Sequence, residues 1–168
     1  MAQVTIRTTN TSVSAPSGWT MVRQDNIGGT AKNILYYRVA SASEPDSYRW
    51  TFGKPQQASG GIMDYAGVDT GSPIDAHSGQ YNSGTTATAP SVNLNTAGAK
   101  VVYVVATASQ TSVNPPSGFT TRYSAGVPGA VMSFTADKSF SSAGATGNQD
   151  GTAGTSNVAV LVALRPAQ

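Results

Sequence analysis

The sequence predicts an all-β protein: a two-sheet antiparallel β-sandwich, jelly-roll-like and carrying an internal pseudo-repeat, with an immunoglobulin-like sandwich as the alternative. Three observations lead there. The 168 residues include 18 glycines and 9 prolines but only 11% charged residues, a poor composition for helices, whose solvent faces are normally rich in Glu, Lys and Arg. Val, Ile, Tyr and Trp recur in short runs closed by turn formers, the mark of strands. The chain also echoes itself one hundred residues on. Thr11-Ser12-Val13 returns as Thr111-Ser112-Val113, and Pro16-Ser17-Gly18-Trp19-Thr20 as Pro116-Ser117-Gly118-Phe119-Thr120, with Val4 falling on Val104 and Ile6 on Ala106. Self-similarity at a fixed offset reports how a fold is built.

Taken in order, Val4-Thr5-Ile6-Arg7-Thr8 alternates apolar and polar residues as a half-buried strand does. The Pro16-Ser17-Gly18 turn leads into a second strand from Trp19 to Gln24. Further strands are expected at Ile34 to Val39 after Gly28-Gly29, at Tyr48 to Phe52 after Pro45-Asp46, and from Gly61 to Val68. The connecting segment 69–99 is turn-rich, with one strand from Thr86 to Leu94. Val101-Val102-Tyr103-Val104-Val105-Ala106 is continuously apolar, which suits a central strand covered on both faces. Phe119 to Tyr123, Val131 to Ala136 and Val158 to Leu164 continue the second copy, while 139–155 reads as loop with one weak strand. About ten strands result, in a length that suits one domain. We read a single domain, 1–168, with pseudo-repeats 1–68 and 100–168.

The formal net charge is +2, and the ten Lys and Arg are scattered from Arg7 to Arg165. Nucleic acid is a poor expectation, because phosphate binding needs a clustered basic face. No run approaches the length of a membrane span. With no cysteine, disulfides and thiolate metal sites are excluded.

Enzymatic chemistry finds little footing. The single histidine, His77, lies in the turn-rich segment and reads as an exposed loop residue, and no Gly-x-Ser-x-Gly elbow surrounds any serine. A glycosidase needs only two carboxylates, but Asp25, Glu44, Asp46, Asp137 and Asp150 all sit at turns or strand ends, where turn chemistry explains them. Asp64, Asp69 and Asp75 form the best local carboxylate group and are weak calcium candidates, since hard cations take carboxylate and carbonyl oxygens. No cofactor is expected.

Aromatic residues offer the remaining handle, because sugar-binding sandwiches stack rings on exposed Trp and Tyr. Trp19 has Phe119 as its counterpart, which favours packing, and Trp50 shares its strand face with Tyr48 and Phe52. Tyr81, between Gln80 and Asn82, is the best exposed aromatic. The ligand-binding candidates are therefore Asp69, Asp75, His77, Gln80, Tyr81 and Asn82, with a cell-surface glycan as the alternative partner.

Comparison of the two copies raises a different possibility. The second is preceded by a strand and turn, Ala89 to Lys100, that the first lacks. The strand Val4, Thr5, Ile6, Arg7 and Thr8 is therefore expected to border an open edge, a template for pairing with another chain in a homo-oligomer or larger assembly.

Several of these landmarks, among them Pro16-Ser17-Gly18-Trp19-Thr20, Tyr36-Tyr37-Arg38-Val39-Ala40, Trp50-Thr51-Phe52, Tyr65-Ala66-Gly67-Val68-Asp69 and Ala163-Leu164-Arg165-Pro166, resemble a family of β-sandwich modules of bacterial surface proteins and phage tail-associated proteins. The resemblance spans nearly the whole chain. It implies a non-catalytic structural or adhesion module at an extracellular, cell-surface or virion location, and it carries no established site residues. Family-like sequences tend to have a strand and a Gly-Asp turn before the position of Val4, which this chain lacks.

Overall fold

A computed structural model describes all 168 residues, and they form sixteen strands and no helix. The first repeat supplies β1 (Ala2–Ile6), β2 (Val13–Ser14), β3 (Thr20–Ile27), β4 (Ala31–Tyr37), β5 (Thr51–Phe52) and β6 (Ala58–Ile62). The connecting segment supplies β7 (Ile74–Asn82), β8 (Thr86–Ala89) and β9 (Asn93–Leu94). The second repeat supplies β10 (Lys100–Thr107), β11 (Val113–Asn114), β12 (Thr120–Val127), β13 (Val131–Ser139), β14 (Gly144–Ala145), β15 (Gln149–Ala153) and β16 (Asn157–Leu164).

Each repeat builds its own large sheet. The first has the order β3-β4-β1-β6, and the second the same order, β12-β13-β10-β16, extended at its far edge by β7. The repeats thus do not interleave strand by strand; their large sheets pack face to face as an antiparallel sandwich. Each large sheet is covered on its other face by a smaller one, β2-β5 in the first half and β11-β15-β8 with β14-β9 in the second.

The sequence echo becomes local geometry. Gly18 and Gly118 both take positive φ, 82° and 81°, as the third residue of a type II turn requires. The turns close through Trp19 N to Pro16 O at 3.3 Å and Phe119 N to Pro116 O at 3.2 Å. Both following strands then slip register at the same point, between Met21 and Arg23 and between Thr121 and Tyr123.

At β1 and β10, however, the offset of one hundred is one residue out. Val4 lies opposite Ile34, and the residue opposite Phe134 is Val105, not Val104. The link from β1 to β2 is one residue longer than that from β10 to β11, and a one-residue slip turns every side chain to the other face. Val4 therefore points outward with Ala2 and Ile6, whereas Val104 points into the space between the sheets with Val102 and Ala106.

Three apolar clusters follow from this layering. The central one joins Val102, Val104, Ala106, Val158, Val160 and Val162 of the second sheet to Ile27, Ala31 and Leu35 of the first. Outside the second sheet, Val101, Tyr103, Val105, Ala159 and Leu161 pack on Ala87, Ala89, Val92 and Leu94. Outside the first, Ala2, Val4, Ile6, Ile34 and Tyr36 pack on Trp19, Trp50 and Phe52. The continuous apolar run of β10 is thus buried on both faces, as its sequence implies.

Beside the apolar centre runs a polar seam. The Gln3 amide donates to Asn33 Oδ1 at 2.9 Å and to the Val105 carbonyl at 3.1 Å, while its oxygen accepts from the Tyr123 and Thr135 hydroxyls. Thr5, Ser133 and Ser59 continue the chain with hydroxyl contacts of 2.7 Å. The seam lies between the two sheets and ties β1 of the first to β10, β12 and β13 of the second.

Two expectations change. Val4, Thr5 and Ile6 border no open edge, because β1 is central, paired with β4 on one side and β6 on the other. Arg7 is held too, its amide bonded to Gln57 O at 2.9 Å and its guanidinium to Ala130 O at 3.1 Å, and the Thr8 hydroxyl accepts from the Asn10 amide. The segment 69–99 is not mainly turns: it contains the nine-residue β7. Its residues, Ile-Asp-Ala-His-Ser-Gly-Gln-Tyr-Asn, include one β-branched side chain, so the ladder with β16 holds the strand rather than its own propensity.

The seam gives a test. Gln3→Leu strands the Tyr123 and Thr135 hydroxyls and takes a donor from the Val105 carbonyl and from Asn33 Oδ1, which keeps Thr5, and is expected to cost about 2–6 kcal/mol in urea unfolding, since each stranded buried group costs about 1–3 kcal/mol. The exposed Gln80→Leu should stay within about 0.5 kcal/mol of the parent.

Candidate functional site

The two halves differ in one unit. In the second half β7 pairs with the outer edge of β16, β8 with β15, and β9 with β14. Further hydrogen bonds join Gly98 and Ala99 to Phe140, both 2.9 Å. The first half has no counterpart to this unit, so the outer edges of β6 and β5 are free on the same side of the molecule.

Two cavities of about 410 and 310 Å³ adjoin there and share Ile62 in their walls. Ile62 lies opposite Ala2 as Leu161 lies opposite Tyr103, so the two residues are structural equivalents. Leu161 is fully buried beneath β8, but Ile62 is 51% exposed. The larger cavity runs on past Val39, Tyr65 and Trp19, and the smaller past Trp50, Phe52 and Ala58. Apolar surface gathered in a concave strip marks a contact site more often than scattered exposed residues do.

The groove floor is aromatic because the two halves fill the same layer differently. In the second half Tyr103 stands opposite Ala136, rises against Gly151 and donates to the Ala87 carbonyl of β8 at 2.5 Å. In the first half the sizes are exchanged: Ala2 stands opposite Tyr36, and Trp50 occupies the place of Gly151. Trp50 packs on Trp19 with centroids 5.2 Å apart and on Tyr36 at 6.1 Å, and Trp19 packs edge-on to Tyr48 at 5.2 Å. Arg38 lies over the Tyr48 ring at 5.5 Å and pairs with Glu44 at 3.2 Å. The indole N–H groups of Trp19 and Trp50 are both buried without an acceptor.

The residues singled out from sequence do not converge on one site. His77 and Tyr81 lie on the face of β7 turned towards the first sheet, His77 Nδ1 standing 3.4 Å from Arg23 and the Tyr81 hydroxyl beside Gly28. Gln80 and Asn82 lie on the opposite face. Gln80 donates to Asn82 at 2.9 Å, and Asn82 donates to Asn157 and the Thr88 carbonyl. Period-two alternation separates what adjacency in sequence suggested. Nor is His77 in a loop; partial burial of its ring and the neighbouring Arg23 charge lower its pKa, with Asp25 opposing.

Two of the three candidate carboxylates are already engaged. Asp69 caps its own turn, accepting from the amides of Gly71 at 2.9 Å and Ser72 at 3.4 Å. Asp75 is buried against Arg165 at 3.0 Å and accepts the Asn95 amide at 2.8 Å. Asp64 is exposed at the groove rim. They do not form a calcium cluster, and no group of three or more His, Asp or Glu stands close enough to hold a metal ion.

No protein-family model matches the chain, and no curated protein or solved structure matches it. No helix is long and apolar enough to cross a membrane, which does not bear on β-barrels.

Two buried acids anchor the framework. Burial alone would raise the Asp75 carboxyl, but the Asn95 and Arg165 hydrogen bonds outweigh it and hold it below the ordinary range. Asp137 behaves likewise: burial opposes ionisation, and the bidentate Arg122 pair with Lys100 behind it prevails. A depressed carboxyl stabilises the fold above its unfolded pKa of about 4, and that stability is lost as pH falls through the lower folded value. Urea midpoints should therefore drop steeply below about pH 4. The Asp75→Asn and Asp137→Asn variants should be less stable at neutral pH and should each flatten that drop.

Proposed function

We propose that the protein is a non-catalytic structural and adhesion module of an extracellular, cell-surface or virion assembly, acting by association with like or unlike chains or by attachment to a surface. The observation that carries this reading is the groove on the first repeat. It combines two free strand edges with an exposed apolar strip, in a molecule where Asp25, Glu44, Asp69, Asp75 and Asp137 are held in structural contacts and His77 stands against Arg23. Free edges of this kind pair with other chains through main-chain hydrogen bonds. The setting rests on the resemblance to modules of bacterial surface and phage tail-associated proteins. Light scattering over a range of concentrations tests the self-association part: species above the 17.1 kDa monomer are expected, and a monomer at every concentration would remove it.

A second reading, a carbohydrate-binding module, is favoured by Tyr81, 47% exposed on the outer strand β7. A ring of this kind offers a face for sugar stacking. Reproducible glycan-array binding lost in Tyr81→Ala would establish this reading; binding that survives the substitution, or no binding, would discard it.

A further inference from the structure

We infer that the groove is a strand-acceptor site that takes, in trans, a strand–turn–strand segment of another polypeptide, its first strand antiparallel to the free edge of β6 and its second on the free edge of β5. The inference rests on the assembly reading and names the partner's chemistry. The molecule contains its own template, because β7 and β8 occupy the corresponding place in the second half. There β7 forms an antiparallel ladder with β16 from Asn157–Asn82 to Leu164–Ile74, and β8 extends β15 through Gln149–Ala89 to Thr152–Thr86.

Three features of the first half fit a segment of the same kind. Both layers stop at the same side, β6 in the large sheet and β5 in the small one. Ile62 is exposed where Leu161 is covered. Trp50 supplies a buried donor with no acceptor, in the layer where Tyr103 donates to a β8 carbonyl. A buried donor without a partner is costly, and a strand laid beside β5 brings carbonyls to it.

The template also fixes the side chains. Towards the outer cluster the connecting segment presents Ala76, then Ala87 and Ala89, then Val92 and Leu94. The partner should likewise carry small residues at alternate positions of both strands, followed by two larger aliphatics. The shallow contact leaves the affinity to backbone pairing, as in other strand additions. The β7–β9 unit of a second copy is not free to be donated: it is fastened to its own half by the β16 ladder and by Asn157, buried and bonded to Asn82, Gly84 and Thr86.

The test uses a synthetic peptide with the sequence of residues 74–94, added to the whole protein. Trp19 and Trp50 are the two tryptophans of the chain and both line the groove, so their fluorescence reports occupancy. Saturable blue-shifting is expected, with new hydrogen-exchange protection at 58–62 and 51–52 and none lost from β7. Ile62→Lys places a charge on an exposed groove position and should weaken binding at least roughly ten-fold while leaving β10 and β16 protected. A peptide carrying Asp at both the Ala87 and Ala89 positions should not bind. No binding by the parent protein would overturn the inference, as would protection gained only where the peptide displaces β7. A β6-mediated homodimer dissolved by Ile62→Lys would also overturn it, since a second copy would then cover the groove; that result would leave the assembly reading standing. A monomer that binds the peptide would keep the groove and remove only self-association.

Discussion

The face-to-face packing of the two large sheets is the constraint on which everything else depends. It is made of two unlike strips. Valines from β10 and β16 meet Ile27, Ala31 and Leu35 in an apolar strip that supplies cohesion, while the Gln3 seam beside it supplies register. Apolar contact alone is non-directional, so the valine face of the second sheet does not by itself fix its register on Ile27, Ala31 and Leu35. Gln3 cannot slide, because its amide is shared between Asn33, the Val105 carbonyl and two hydroxyls from the opposite sheet. Every hydrogen-bonding atom of the Gln3 side chain is satisfied in this arrangement, though the Asn33 Nδ2 beside it is not, and a shift of the sheets would strand those atoms at a cost.

Once the sheets are fixed, the covering layers follow, and with them the asymmetry. The second large sheet is closed on its outer face by five short strands and at its edge by β7. The first is closed by two short strands and by bulk, Trp19, Tyr48 and Trp50 standing where the other half uses backbone. Aromatic rings fill volume well but leave indole donors and strand edges unserved. The groove is a direct result of that substitution of side chains for strands.

Much of the architecture was legible in the sequence. The strand runs at Ile34, Val101 and Val158, the turn at Gly18 and its copy, and the absence of helices are all local properties, written in β-branched residues and glycines. What local pattern missed was β7, built from small and polar residues; it also ran β8 and β9 together as one strand from Thr86 to Leu94 and gave a single weak strand where β14 and β15 lie. Those strands are held by ladders, whose partners lie far along the chain. The missing unit before the first copy was visible as an asymmetry of the repeat. Its consequence fell on β6 rather than β1, because sequence order does not reveal that β1 lies in the middle of its sheet. The groove itself was not legible, since Trp50 adjoins β5 of the small sheet and Ile62 ends β6 of the large one, and only the packing of one sheet on the other brings them to one wall.

Two similar halves in one chain carry a folding hazard, for a strand of one can seek the partners of the other. The exchange of sizes between Ala2–Tyr36 and Tyr103–Ala136 acts as a lock and key against it. Crossed pairing of β1 with β13 would set alanine against alanine and leave a void, whereas β10 with β4 would crowd two tyrosines into one space. Voids and overpacking each cost on the order of 1–5 kcal/mol, comparable with the whole margin by which a domain stays folded. The reciprocal pair therefore works as a proofreading device, letting the chain keep a duplicated plan without confusing its copies as it folds.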